Sequence, residues 1–219
     1  MFEMEDGMAT FLWVSRISLL FCLLFCLYYL LRIIRAGRPR DYAKPSGSAT
    51  SGVRYAYTGA MHPARKESAY LHLPTYIAGL VYHAGTLMAL LIFAWWISGL
   101  GIPAAVQPLI AILLAITAIT GLSLLIKRAV SGKLRSLSNP EDYVANFIVS
   151  LFQLILAVDL WQGNISPILL ITGSILLIYI PLGKLRHCVF FFAARYHLGY
   201  FYGSRGVWPP ASQKLTQHG

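Results

Sequence analysis

The sequence predicts an all-α membrane protein, a polytopic five-helix transmembrane bundle with its N-terminus outside and its C-terminus in the cytoplasm. Three features point there. Hydrophobic residues fill 57% of the 219 positions and charged residues only 12%, about half the charged share of a soluble domain. The charges are clustered, which leaves five apolar stretches near 10–34, 70–98, 107–126, 142–161 and 166–186, each close to the roughly 20 residues that a bilayer-crossing helix needs. All but one of the 18 Lys and Arg residues lie after the first stretch, between the third and fourth, or after the fifth. The positive-inside rule assigns those connections to the cytoplasm.

The first stretch, "FLWVSRISLLFCLLFCLYYLLRII", follows Glu3, Glu5 and Asp6 instead of basic residues, and no small-residue cleavage site follows it. It reads as a retained helix behind a short external tail, residues 1–9, not as a signal peptide. Residues 36–60, "AGRPRDYAKPSGSATSGVRYAYTGA", are rich in Gly, Ser, Ala and Pro and read as a loose cytoplasmic loop. The connections 99–106 and 162–165 carry no Lys or Arg, as external loops should. Between the third and fourth stretches, "SLSNPEDY" reads as a helix start. Asn139 is suited to the cap, Pro140 to the first helical position, and Glu141 and Asp142 to the positive end of the helix dipole. Trp13, Trp95, Trp96 and Trp161 fall at outer ends and Tyr28 and Tyr29 near an inner one, as an aromatic belt requires. Residues 189–219 form an aromatic and basic tail, expected in the cytoplasm or along the inner interface.

The net charge of +10 follows from this topology and calls for no nucleic acid. The basic loops are suited to anionic lipid or to an acidic partner. Cys22, Cys26 and Cys188 show neither metal-ligand spacing nor a paired framework.

Three of the six histidines belong to the membrane domain. His72 lies about one turn inside the second stretch, and His187 ends the fifth, one residue after Arg186. The two stretches run antiparallel, so both imidazoles reach the cytoplasmic depth. Two imidazoles meeting across a bundle are a low-spin haem's axial pair; two interfacial anchors that never meet fit the same pattern, and the residues alone leave both open. His83 shares a helix face with His72 and lies about 16 Å deeper. No other apolar stretch offers a histidine at that depth. Apart from these, only Arg16 and Asp159 place charge in or near the spans, and such residues are functional candidates.

Three segments together resemble the cytochrome b family of the respiratory nitrate reductase gamma subunit and the heterodisulfide-reductase-like membrane subunits. "YLHLPTYIAGLVYHAG" looks like the family's second helix. "LLIKRAVSGKLRSLSNPEDYVANFIVSLFQLILA" looks like its basic loop and fourth helix, and "IPLGKLRH" like its fifth-helix ending. They span most of residues 68–188, so the resemblance makes 10–188 the haem-binding membrane domain. It implies haem b held by His72 and His187, a quinone or quinol site, and a cytoplasmic iron–sulfur partner, in a bacterial or archaeal cytoplasmic membrane. Where the family's second haem takes a fifth-helix histidine, this sequence has Leu169. One haem is therefore expected, with two kept open, and His83 is expected to border a quinone or a haem.

The resulting expectation is an electron-transfer subunit, not a complete enzyme by itself, that exchanges electrons between the quinone pool and its partner. The alternative is a cofactor-free membrane anchor or assembly subunit whose basic face docks soluble redox proteins.

Overall fold

A computed structural model describes residues 2–37, 41–65 and 71–210, with the side chains of 2–6 and of Ala64 left out. Lys66, Tyr70 and His218 therefore lie outside the described residues, as do the acidic side chains at positions 3, 5 and 6. The described chain is helical and holds no strand. Its α-helices are α1 (Phe2–Ala36), α2 (Ala49–Tyr57), α3 (Leu73–Ile97), α4 (Gln107–Val130), α5 (Gly132–Ser136), α6 (Pro140–Gln162), α7 (Pro167–Leu182) and α8 (His187–Ser204), with short 3-10 turns between some of them. Among the described residues, α1 from Gly7, α3, α4 and α6 are each long and apolar enough to cross a membrane, and α7 with the stretch Lys184–Ser204 makes a fifth candidate. The described chain is thus all-helical, with four or five helices able to span a membrane, consistent with a multi-pass membrane protein. The first residues, expected as a tail, are helical from Phe2.

Contacts divide the chain into two compact units, residues 1–27 with 74–186 and residues 28–73 with 187–219. The first is the apolar bundle. Its helices begin and end where backbone chemistry dictates. At α6 the predicted start is present in full: Asn139 Oδ1 accepts the Asp142 amide at 3.1 Å and Asp142 Oδ2 accepts the Asn139 amide at 3.0 Å, a reciprocal cap that satisfies two orphan donors. The helix ends at Gly163, whose φ of 70° is the left-handed conformation that glycine adopts without strain. Ser166 then caps α7 by accepting the Leu169 amide. α7 stops at Leu182, four residues short of the predicted 186. Pro181 lacks a donor, and the Tyr179 ring lies against Gly183, where a side chain would collide with it.

The bundle core is apolar and close-packed. Phe93 of α3 meets Phe152 of α6 edge to face at 5.2 Å, and its ring lies against Gly173 of α7. Leu114, Leu156, Leu169 and Leu176 are fully buried around it.

The second unit corrects the reading of residues 36–60 as a loose loop. Residues 49–57 form α2, capped by Ser48, whose hydroxyl accepts the Ser51 amide at 3.3 Å. α2 packs along α8 through small residues four apart, Ser48, Gly52 and Ala56 facing Gly199 and Gly203. The backbones touch: a Cβ on Gly52 would overlap Gly199 O and Gly203 Cα. Tyr57 hydroxyl donates to Phe192 O at 2.5 Å, and Trp208 packs on Tyr55 and Tyr202 at 5.5 and 4.9 Å. The amides of Ser46 and Gly47 donate to Ser204 O at 2.9 and 3.1 Å, satisfying a carbonyl at the end of α8.

Beside them Arg205 grips Asp41 with two bonds, Nε to Oδ2 at 3.0 Å and Nη2 to Oδ1 at 2.7 Å. The Arg205 guanidinium holds the Asp41 carboxyl below its usual 3.8, and Asp41 in turn raises Arg205. A carboxylate lowered on folding lends stability above its ordinary pKa and loses it as pH falls through the lowered value. The pair is therefore intact at neutral pH and opens only in acid. Asp41→Asn should speed amide hydrogen exchange at residues 41–48 at pH 7 and leave the middle of α8 unchanged. Equal exchange in variant and parent would show that the two amide bonds to Ser204 hold the segment alone.

Candidate functional site

One end of the bundle unit gathers its polar chemistry. There α3 begins, α4 ends, α6 begins and α7 ends. Lys127 donates to Thr75 Oγ1 at 2.5 Å. The next residue, Arg128, reaches Ser138 Oγ at 3.2 Å and Asp142 at 3.4 Å. Lys184, just past α7, closes on the other oxygen of Asp142. One carboxylate thus serves its own helix cap and two cations from two other segments. From the sequence Asp142 reads as a cap only. Its cations stand 14 and 42 residues away, and no local spacing announces them.

The predicted site residues stand as follows. His72 occupies the turn just before α3 and is exposed; His187 is the first residue of α8 and is exposed. Both belong to the second unit. In sequence, His72 is three residues before Thr75 and His187 three residues after Lys184. His83 lies in α3, in the bundle unit, ten residues after Leu73 or about 15 Å along the helix, and is exposed with its ring 6.1 Å from that of Tyr82.

The interior behind His83 is closed. Gln153 of α6, with no exposed surface, donates to Thr86 of α3 at 2.8 Å and accepts from Thr117 of α4 at 2.7 Å. One turn away Tyr82 donates to Asn146 O at 3.0 Å and accepts from Ser150 at 3.2 Å. Two glycines allow this approach. Thr117 lies on Gly85, and Tyr82 with Ser150 lies on Gly121; a Cβ at either glycine would overlap them. Interhelical hydrogen bonds over small residues are how membrane helices associate without a hydrophobic drive between them.

Both charges within the apolar helices have backbone partners. Arg16 Nε donates to Ile97 O at 2.7 Å, capping the end of α3, with its guanidinium 5.2 Å from the Trp13 ring centre. Asp159, 3% exposed, accepts the Ser166 amide at 2.7 Å and fixes the turn into α7. Each satisfies an orphan group at a helix end.

His72 and His187, the residues expected to hold a haem, are both exposed, as are His62 and His83; an imidazole has the chemistry of an axial haem ligand. Among the described residues no group of three or more His, Cys, Asp or Glu gathers to hold a metal ion; a bis-imidazole pair is smaller than such a group. Scanned against protein-family models, curated proteins and solved structures, the chain has no match.

Proposed function

We propose that the chain is a haem-b membrane subunit of a respiratory redox complex in a bacterial or archaeal cytoplasmic membrane, N-terminus outside, exchanging electrons between the quinone pool and a cytoplasmic iron–sulfur partner. The observation that carries this reading is one of chain position: two exposed imidazoles stand three residues from bundle residues of one basic end, His72 before Thr75 and His187 after Lys184. Haem b bound there would supply one-electron chemistry that no side chain of this protein provides. The two histidines would hold the iron, and Lys127, Arg128 and Lys184 keep the surrounding helix ends in register. His83, exposed within a span, would meet the quinone, since a neutral imidazole both accepts and donates a proton there. Leu169, where the resemblance wants a second fifth-helix histidine, supports one haem in place of two.

A reduced-minus-oxidised visible spectrum of the detergent-purified chain tests the reading. A b-type band is expected, and His187→Ala should remove or strongly shift it. His83→Ala should leave one haem per chain and slow quinol-linked reduction. Absence of any b-type band sinks the proposal. It would favour the second reading, a cofactor-free anchor, which the concentration of basic residues in the second unit supports.

A further inference from the structure

α8 is covered on one side by α2 through Gly199 and Gly203. Its other side carries Phe191, Ala194, Leu198 and Phe201, all exposed. By the 3.6-residue period these four stand across the helix from the glycine pair or at its flank. Two cations lie on this aromatic surface instead of reaching away from it. The Arg195 guanidinium is 5.6 Å from the Phe191 ring centre and that of Arg205 is 5.0 Å from Phe201. Apolar rings with guanidinium groups beside them suit the layer where acyl chains give way to headgroups.

The charge of the chain is concentrated in the same unit. Residues 28–73 and 187–219 hold eleven of the 18 Lys and Arg residues and two of the eight Asp and Glu, a formal +9 of the chain's +10. One of those two acids, Asp41, is already bound to Arg205. The bundle unit is close to neutral by comparison. We propose that this second unit is a lipid-facing platform: the Phe191–Phe201 side of α8 inserts into the headgroup layer of an anionic bilayer, whose phosphates neutralise the surrounding arginines and lysines.

An acidic protein would answer the charge but not the rings. A face of apolar rings, interrupted only by His187 and His197, offers such a partner few hydrogen bonds, whereas the headgroup boundary takes both halves. Connectivity adds to this. The unit continues without a break into α1 and α3, and α8 follows directly on the turn Lys184–Arg186 after α7. It is therefore held within reach of whatever bilayer those helices cross, and a weak surface affinity suffices. The inference stands whether or not a haem is bound, because it uses neither His72 nor His187.

The test uses the full chain with Cys22, Cys26 and Cys188 changed to serine and a nitroxide on Ala194→Cys. The protein is placed in nanodiscs of phosphatidylcholine alone or with about one-third phosphatidylglycerol, at salt from about 0.05 to 0.5 M, over which the screening length shrinks several-fold. In anionic discs at low salt the label should collide with oxygen about threefold more than with a water-soluble nickel chelate. The preference should fall towards parity in neutral discs at high salt. A label on Ile119→Cys, exposed on α4, should prefer oxygen throughout and shows that the protein is intact. Equal access of the chelate in both disc types overturns the proposal. Shielding from both reagents overturns it too, and shows that protein covers this face.

Discussion

Leucine at position 52 should part α2 from α8. Leucine is a better helix former than glycine by nearly 1 kcal/mol, so α2 taken alone gains. All of the damage comes from packing, and that damage is large because the atoms in the way are backbone. A Cβ at Gly52 overlaps Gly199 O and Gly203 Cα, neither of which can rotate aside as a side chain would. Overpacking of a tight contact costs about 1–3 kcal/mol and more when nothing can yield. Loss of the approach also removes the bond from Tyr57 to Phe192 O and the contact of Trp208 with Tyr55. Amide exchange across residues 49–57 should accelerate at least tenfold while α4 and α6 keep their protection. Gly79→Leu on α3 is the control, for nothing stands within 4 Å of that Cβ. If Gly52→Leu exchanges like the parent, the close approach of α2 and α8 is refuted.

Leucine at Gly121 should do the same to the bundle. Its Cβ would enter the Tyr82 ring and the Ser150 hydroxyl, at the point where α3, α4 and α6 converge. The ring cannot move without giving up its bond to Asn146 O, and Ser150 loses Tyr82 as its acceptor. Buried polar groups left unpaired cost about 1–3 kcal/mol each, on top of the overlap itself. A loss near 3 kcal/mol is expected, read as a lower midpoint in detergent unfolding. Gly121→Leu with Tyr82→Phe should recover part of it, since the orphaned phenol is then gone, while Ser150 keeps Asn146 Oδ1 as its acceptor at 3.2 Å. No recovery would place the damage in the helix spacing alone.

How much of this was legible in the sequence depends on whether a residue's partner lies nearby in the chain. The spans and the Asn139–Asp142 cap are local patterns, apolar length and a three-residue reciprocity, and the structure repeats them. Residues 36–60 misled because small residues carry two meanings. Gly, Ser and Ala signal a flexible loop when read singly. At Ser48, Gly52 and Ala56 their spacing of four makes a contact face, and Gly199 with Gly203 has the matching spacing in the tail. That pair of spacings was the available signal. Arg16 and Asp159 stood out as charges in apolar surroundings, but their partners, Ile97 O and the Ser166 amide, are backbone groups and leave no trace in residue identity. The histidines show the same limit from the other side. Counting residues gives their depth along a helix, and it says nothing about which way another helix turns.

Asp142 has a consequence for the order of synthesis. Its cap partner Asn139 precedes it by three residues and Arg128 by fourteen, so both are already made when the carboxylate emerges from the ribosome. Lys184 follows 42 residues later. Until α6, its turn and α7 have all been made, the carboxylate has only the earlier two partners. The last bond therefore forms only when the α6–α7 hairpin is in place, and a nascent chain stalled before residue 184 would carry one net negative charge more at this corner than the finished one. The ion cluster records, in electrostatic form, that the final hairpin has arrived.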